Sequence, residues 1–160
     1  MSKLVLFDGL SADLIAIPAV KKVALWNNQP TNEDKENPYL YPAVFIEFLP
    51  AEYRDLTEGV QEYDMITRLH ICFESYKDQD TAVLTLVDTV YKTVHRKRYE
   101  NFTRLLRRGE EQNFDHDNVQ DYIQDYITLG KDFGADQRAT TEHTVTDEIT
   151  PIIIEKAEDL

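Results

Sequence analysis

The chain has 160 residues, enough for one domain with an appendage, and carries 30 Asp+Glu against 17 Lys+Arg for a formal net charge of −13. That balance argues against broad binding to nucleic-acid phosphates or to an anionic membrane, and no apolar run approaches the ~20 residues of a membrane span. The single cysteine, Cys72, has no partner for an internal disulfide and fits a reducing compartment, with synthesis in a cytoplasm. The opening MSKLVLFDGLSADL holds Lys3, Asp8 and Asp13 and no small-residue cleavage site, which makes a poor signal peptide.

Ser2 to Ile15 places Leu6, Phe7, Leu10, Leu14 and Ile15 at helical spacing, weakened slightly by Gly9 and ended by Pro18. VKKVALW, Val20–Trp26, reads as a first strand, and the polar Asn27–Asn37 with Pro30 as a loop. Tyr39–Leu49 is the second strand, with Pro42 and Pro50 at tolerable positions. Its near-continuous apolar run predicts burial on both faces. Val44, Ile46 and Phe48 share one side; Phe45, Glu47 and Leu49 share the other. Helices are expected to cover the first side, and a second subunit the other.

Ala51–Val60 is long for a hairpin connection and is expected to extend the ribbon as a flap. QEYDMITRLHICFES, Gln61–Ser75, alternates as a long strand. Tyr63, Met65, Thr67, Leu69, Ile71 and Phe73 lie inward, and His70 and Cys72 lie on the opposite side. From the cap residue Asp80, Val83, Leu84, Leu86, Val87, Val90, Tyr91 and Val94 form a helical stripe that ends near the basic His95–Arg98. NFTRLLRRG is expected as a strand closed by Gly109. NVQDYIQDYITLGKDF fits both a helical and a strand period over 119–129; its β-branched and aromatic residues favour strand. Residues 134–143 read as a linker, and the stretch from Thr144 as an extended arm carrying Ile152, Ile153 and Ile154. Such a triplet must dock to offset the entropy of ordering, roughly 1–2 kcal/mol per residue. Its own domain and a neighbour are both within reach. The predicted fold is α+β: a mostly antiparallel sheet of about four or five strands, with two helices on one face. Residues 1–133 form the domain, and 134–160 form the linker and arm.

No catalytic motif stands out. EEQNFDHDN supplies Asp115, His116 and Asp117 but lacks the glycine and closing Glu of a calcium loop. His70 and Cys72 on one strand face lack the element-end placement of a nucleophile pair. No glycine-rich phosphate loop is present in the sequence. The expectation is a protein that is not an enzyme and needs no cofactor or metal. Charge is more informative. Lys92, Arg96, Lys97, Arg98, Arg104, Arg107 and Arg108 precede a stretch, 110–125, with Glu110, Glu111, Asp115, Asp117, Asp121 and Asp125 and no base. These segments either meet between subunits, or neutralise each other within one hairpin or lie as solvated faces; a nucleic-acid patch is disfavoured by the lack of interleaved aromatics and the overall charge.

Taken together, the order of elements and several apolar phrases resemble a known family. The leading helix runs into IPAVKKVALW, then come a polar loop, YPAVFIEFLP, QEYDMITRLHICFES, the helix TAVLTLVDTVYKTVHR, and a strand pair closing near YITLGKDF. The family is that of the tail-terminator and head–tail joining (neck ring) proteins of tailed bacteriophages. The resemblance covers about residues 1–133; the tail after Asp136 is longer than the family pattern. It implies a non-catalytic virion protein at the head–tail junction. Such subunits form closed rings of about six copies, or of about twelve around a portal. Tail-tube and portal proteins are the implied neighbours, and DNA passes through the bore without specific binding. Interface residues on this reading are Phe45, Glu47, Leu49, Arg104, Arg107, Arg108, Asp115, Asp117, Ile152, Ile153 and Ile154. The alternative is an acidic, non-catalytic interaction adaptor in a host cytoplasm, acting as monomer or dimer.

Overall fold

The computed structural model describes residues 2–30, 40–57, 59–74, 80–113 and 118–134. Helix α1 (Ser2–Ile15) leads into strand β1 (Lys22–Leu25), followed by β2 (Ala43–Phe48), β3 (Glu52–Thr57) and β4 (Val60–Glu74). Helix α2 (Asp80–Val94), β5 (Leu106–Asn113) and β6 (Val119–Asp132) complete the order. The sheet runs β1-β2-β4-β6-β5, with β3 beside β4 beyond the end of β2. All pairs are antiparallel except β1 with β2. The fold is the α+β class expected, with six strands. The arm from residue 135, with Ile152–Ile154, lies outside the described residues, as do Asp115 and Asp117.

Both helices pack on one face of the sheet. Leu6, Leu10 and Leu14, spaced one helical turn apart, join Val83, Leu86, Val87, Val90 and Val94 over Val44, Ile46, Leu69, Ile71 and Tyr126. Ile15 falls off that stripe and stays 50% exposed. Gly9 is where the Tyr99 ring lies against α1; a Cβ there would collide with it. Gln124 is a polar side chain built into this layer. Gln124, buried, donates through Nε2 to the Val87 carbonyl (3.1 Å) and to Glu110 (2.9 Å), and accepts from the Tyr126 hydroxyl (2.8 Å). Its amide is thereby satisfied at both ends and ties β6 to α2 and β5.

The opposite face of β2 differs from expectation. Phe45 is 0% exposed within the chain. It belongs to a small second core with Tyr41, Ala43, Cys72 and Val119, flanked by Ala24 and Trp26. Of the residues expected to need a second subunit for cover, Phe45 is closed within the chain: β1 runs parallel to β2 and brings Trp26 to within 6.0 Å of the Phe45 ring. Phe45 is therefore core.

Two further elements depart from the sequence reading. The flap is a strand: all six β3 residues are exposed, and Glu52–Thr57 pairs with Val60–Asp64. Gly109 does not end a strand. It lies inside β5, where the pairing with β6 slips between Arg107 and Gly109, a β-bulge at which glycine is well suited. Residues 101–105 are irregular apart from isolated bridges, with Phe102 and Leu105 buried as anchors. Val119–Asp132 is a strand throughout, which excludes the helical alternative.

Candidate functional site

The sheet face away from the helices carries an ionic strip built from β2, β4 and β6. Register sets it up: Phe45 and Ile123 flank His70, Glu47 and Asp125 flank Arg68, and Asp121 lies opposite Cys72. His70 Nδ1 is 2.9 Å from Asp121 Oδ2, and its Nε2 is 3.1 Å from Glu47 Oε2. Both ring nitrogens thus meet carboxylate oxygens. The Trp26 indole lies flat on the ring, with centroids 3.7 Å apart at 4°. Beside this trio, Arg68 holds Asp125 through two bonds of 2.8 and 3.0 Å and lies 3.6 Å from Glu111. The two-pronged geometry is the strong form of an arginine–carboxylate pair.

The strip is arranged to hold the sheet together. A nucleophile served by His70 would have to stand at Nε2, which Glu47 occupies. Cys72 instead donates its thiol toward Asp121, at 3.7 Å. Burial, with the Asp121 carboxylate beside it, pushes that thiol well above its ordinary value of 9.0, the reverse of an activated cysteine. Among the described residues, no group of three or more His, Cys, Asp or Glu is placed to hold a metal ion.

Burial also raises Tyr126, and burial with its bond to Asp13 raises Tyr99, from the ordinary tyrosine value of 10.0. These shifts give the alkaline stability a definite sign. Unfolding frees Cys72, Tyr99 and Tyr126 to ionise near their ordinary values, so above about pH 9 the unfolded chain binds fewer protons than the folded one. Stability is then fully present below that pH and falls as pH rises. Urea midpoints measured from pH 8 to 11 are expected to decline, with the Cys72→Ala variant losing the earliest part of the decline. Midpoints that are flat over that range would contradict the assignment.

The charged segments are mostly paired within the chain. Arg107 pairs with Glu110 at 3.0 Å and stacks over the Tyr91 ring at 3.8 Å. Glu111 and Asp125 face Arg68, and Asp121 faces His70. The described acids of 110–125 that these contacts engage have partners inside the chain, and Arg107–Glu110 joins the two charged segments. Glu47 is likewise committed to His70, and Leu49 is half-buried with its N–H on the Ile66 carbonyl at 3.0 Å. Arg104 and Arg108 are exposed.

The basic segment forms a fixed turn. Arg96 and Asn101 take left-handed angles (φ 64° each). Arg96 N–H donates to the Leu105 carbonyl at 2.7 Å, and Leu105 N–H to that of Lys97 at 2.9 Å. Tyr99 donates its hydroxyl to Asp13 at 2.6 Å, and Lys97 pairs with the same carboxylate at 2.9 Å, so α1 pins the turn. The turn continues the sheet beyond β6: Thr103 N–H donates to the Leu129 carbonyl and Lys131 N–H to that of Asn101. A row of rings crosses the sheet here. Tyr53 lies 4.5 Å from Tyr63, and Tyr63 meets Phe102 edge-on at 6.1 Å. Gly130 sits under that last contact, where a Cβ would come within 2.7 Å of both rings.

No protein-family model matches the chain. No curated protein matches it either. A chain from the virion of a native gene transfer agent particle is similar in structure, at 9% identity and a TM-score of 0.43, with 76% of this chain and 84% of that one covered.

Proposed function

We propose that the chain is a structural subunit of a phage-like virion, without catalysis, that assembles as a ring at the head–tail junction as tail terminator or neck ring. The observation that carries this reading is the β3–β4 hairpin. Its outer strand is exposed at all six residues and pairs, among the described residues, only with β4. Tyr53 and Leu56 on it are 44% and 46% exposed. An unpaired edge with apolar side chains is a liability for a free monomer and is normally covered in an assembly. The α-β-β-β-β-α-β-β order is also compatible with the order behind the family resemblance. The acidic balance suits a ring through which DNA slides, since a phosphate-binding bore would retard it.

Antibody labelling of purified particles tests the location. Label at the head–tail junction is expected. Particles that lack the chain, or carry it on the capsid shell or tail tip, would contradict the reading.

A further inference from the structure

We propose that copies of this chain join head to tail, the acidic 52–64 hairpin edge of one against the basic 96–108 edge of the next. The inference rests on the ring reading above and names the two surfaces that would build the ring.

Topology places these surfaces on opposite edges of one end of the sheet. Glu52 is opposite Asp64, Asp64 opposite Leu129, and Leu129 is bonded to Thr103. Three strand spacings, on the order of 14 Å, separate the hairpin's outer strand from the basic turn. Within one chain they cannot meet; between two copies they can.

Their charges are complementary. Residues 52–64 hold Glu52, Asp55, Glu58, Glu62 and Asp64 against Arg54. Residues 96–108 hold Arg96, Lys97, Arg98, Arg104, Arg107 and Arg108 against Glu100, on a molecule that is otherwise strongly acidic. Arg54 is spread over two acids at 3.4 and 3.5 Å, which leaves the hairpin negative. Arg96 and Arg108, both exposed, form no ion pair among the described residues, and Glu52 forms none either. Lys97 and Arg107 are paired inside the chain with Asp13 and Glu110, so the charge the segment offers a neighbour is that of Arg96 and Arg108. Each edge also has an apolar element: Tyr53 and Leu56 on one, Leu106 (38% exposed) on the other.

The edges are also preorganised. The Tyr53–Tyr63–Phe102 row runs from one to the other, and Tyr99 and Lys97 fix the turn to α1. Rigid, complementary edges lose little freedom on docking. Because the two patches differ, the contact is heterologous, the type that builds a ring when its rotation closes.

A charge-swap experiment tests this on the full chain. The hairpin variant is Glu52→Lys with Asp55→Lys; the edge variant is Arg96→Glu with Arg108→Glu. Either alone puts like charges in contact and is expected to raise the concentration needed for assembly by at least ~10-fold in sedimentation velocity. An equimolar mixture restores opposite charges at every contact and is expected to assemble near the wild-type concentration. Should a variant fail to fold by circular dichroism, the wild type gives the answer: raising salt from about 50 to about 500 mM is expected to raise its assembly concentration ~10-fold. Variants that assemble like the wild type, a mixture of folded variants that does not recover, or a salt-indifferent wild type overturn the proposal while the ring reading stands. A wild-type chain that is monomeric at all concentrations overturns both, and the edges then face another protein or the chain's own C-terminal residues.

Discussion

Replacing His70 with leucine is expected to lower stability by about 3 kcal/mol, the cost of taking a hydrogen-bond partner from a fully buried carboxylate. Asp121 is 0% exposed, and His70 Nδ1 lies 2.9 Å from its Oδ2. Without it the buried carboxylate keeps the Cys72 thiol, at 3.7 Å, and loses its ring-nitrogen partner. Glu47 loses a partner too but is partly exposed and turns to water. The companion double variant, His70→Leu with Asp121→Val, is expected to recover much of the loss, since an apolar replacement of both members leaves no stranded charge. Urea unfolding of the two single variants and the double variant gives the coupling. A His70→Leu variant within about 1 kcal/mol of wild type would mean that the trio does not hold the strands together.

Phe102→Ala is expected to cost a similar amount, about 3–5 kcal/mol, by leaving a cavity beneath the basic turn. The ring is fully buried, edge-on to Tyr63, across a glycine that leaves no atoms to fill the space. It also sits one residue after the left-handed Asn101 and sets where Arg98 and Arg104 stand. The loss should therefore appear twice, as a lower unfolding midpoint and as weaker assembly at a temperature where the variant remains folded. Phe102→Leu, which keeps most of the volume, is expected to cost less and to assemble nearly normally. Equal assembly by all three proteins would detach the turn from the interface.

Periodicity carries much of the fold because most long elements bury one regular face. Leu6, Leu10 and Leu14, the α2 stripe, and the alternation from Tyr63 to Phe73 each repeat at the period of their element. The elements that escape a reading of the sequence bury no regular face. In β3 both sides are exposed, so EYRDLT has no apolar rhythm to read. β1 is legible as a strand within Val20–Trp26, but nothing local marks it as parallel to β2. Gly109 resembles a terminator because a bulge and a strand end ask for the same residue. The ionic strip is half legible. Alternation puts His70 and Cys72 on one face, but Asp121 lies 51 residues away and is fixed only by the β4–β6 register. The basic island is visible as composition; its separation from the acidic hairpin by the width of the sheet is not.

The native mass of the purified full-length chain over a concentration series tests the central claim most directly. A closed multiple of the protomer is expected, with about six or about twelve copies, that disperses as salt is raised. A strict monomer or dimer at high concentration, unchanged when tail-tube or portal proteins are added, would contradict it.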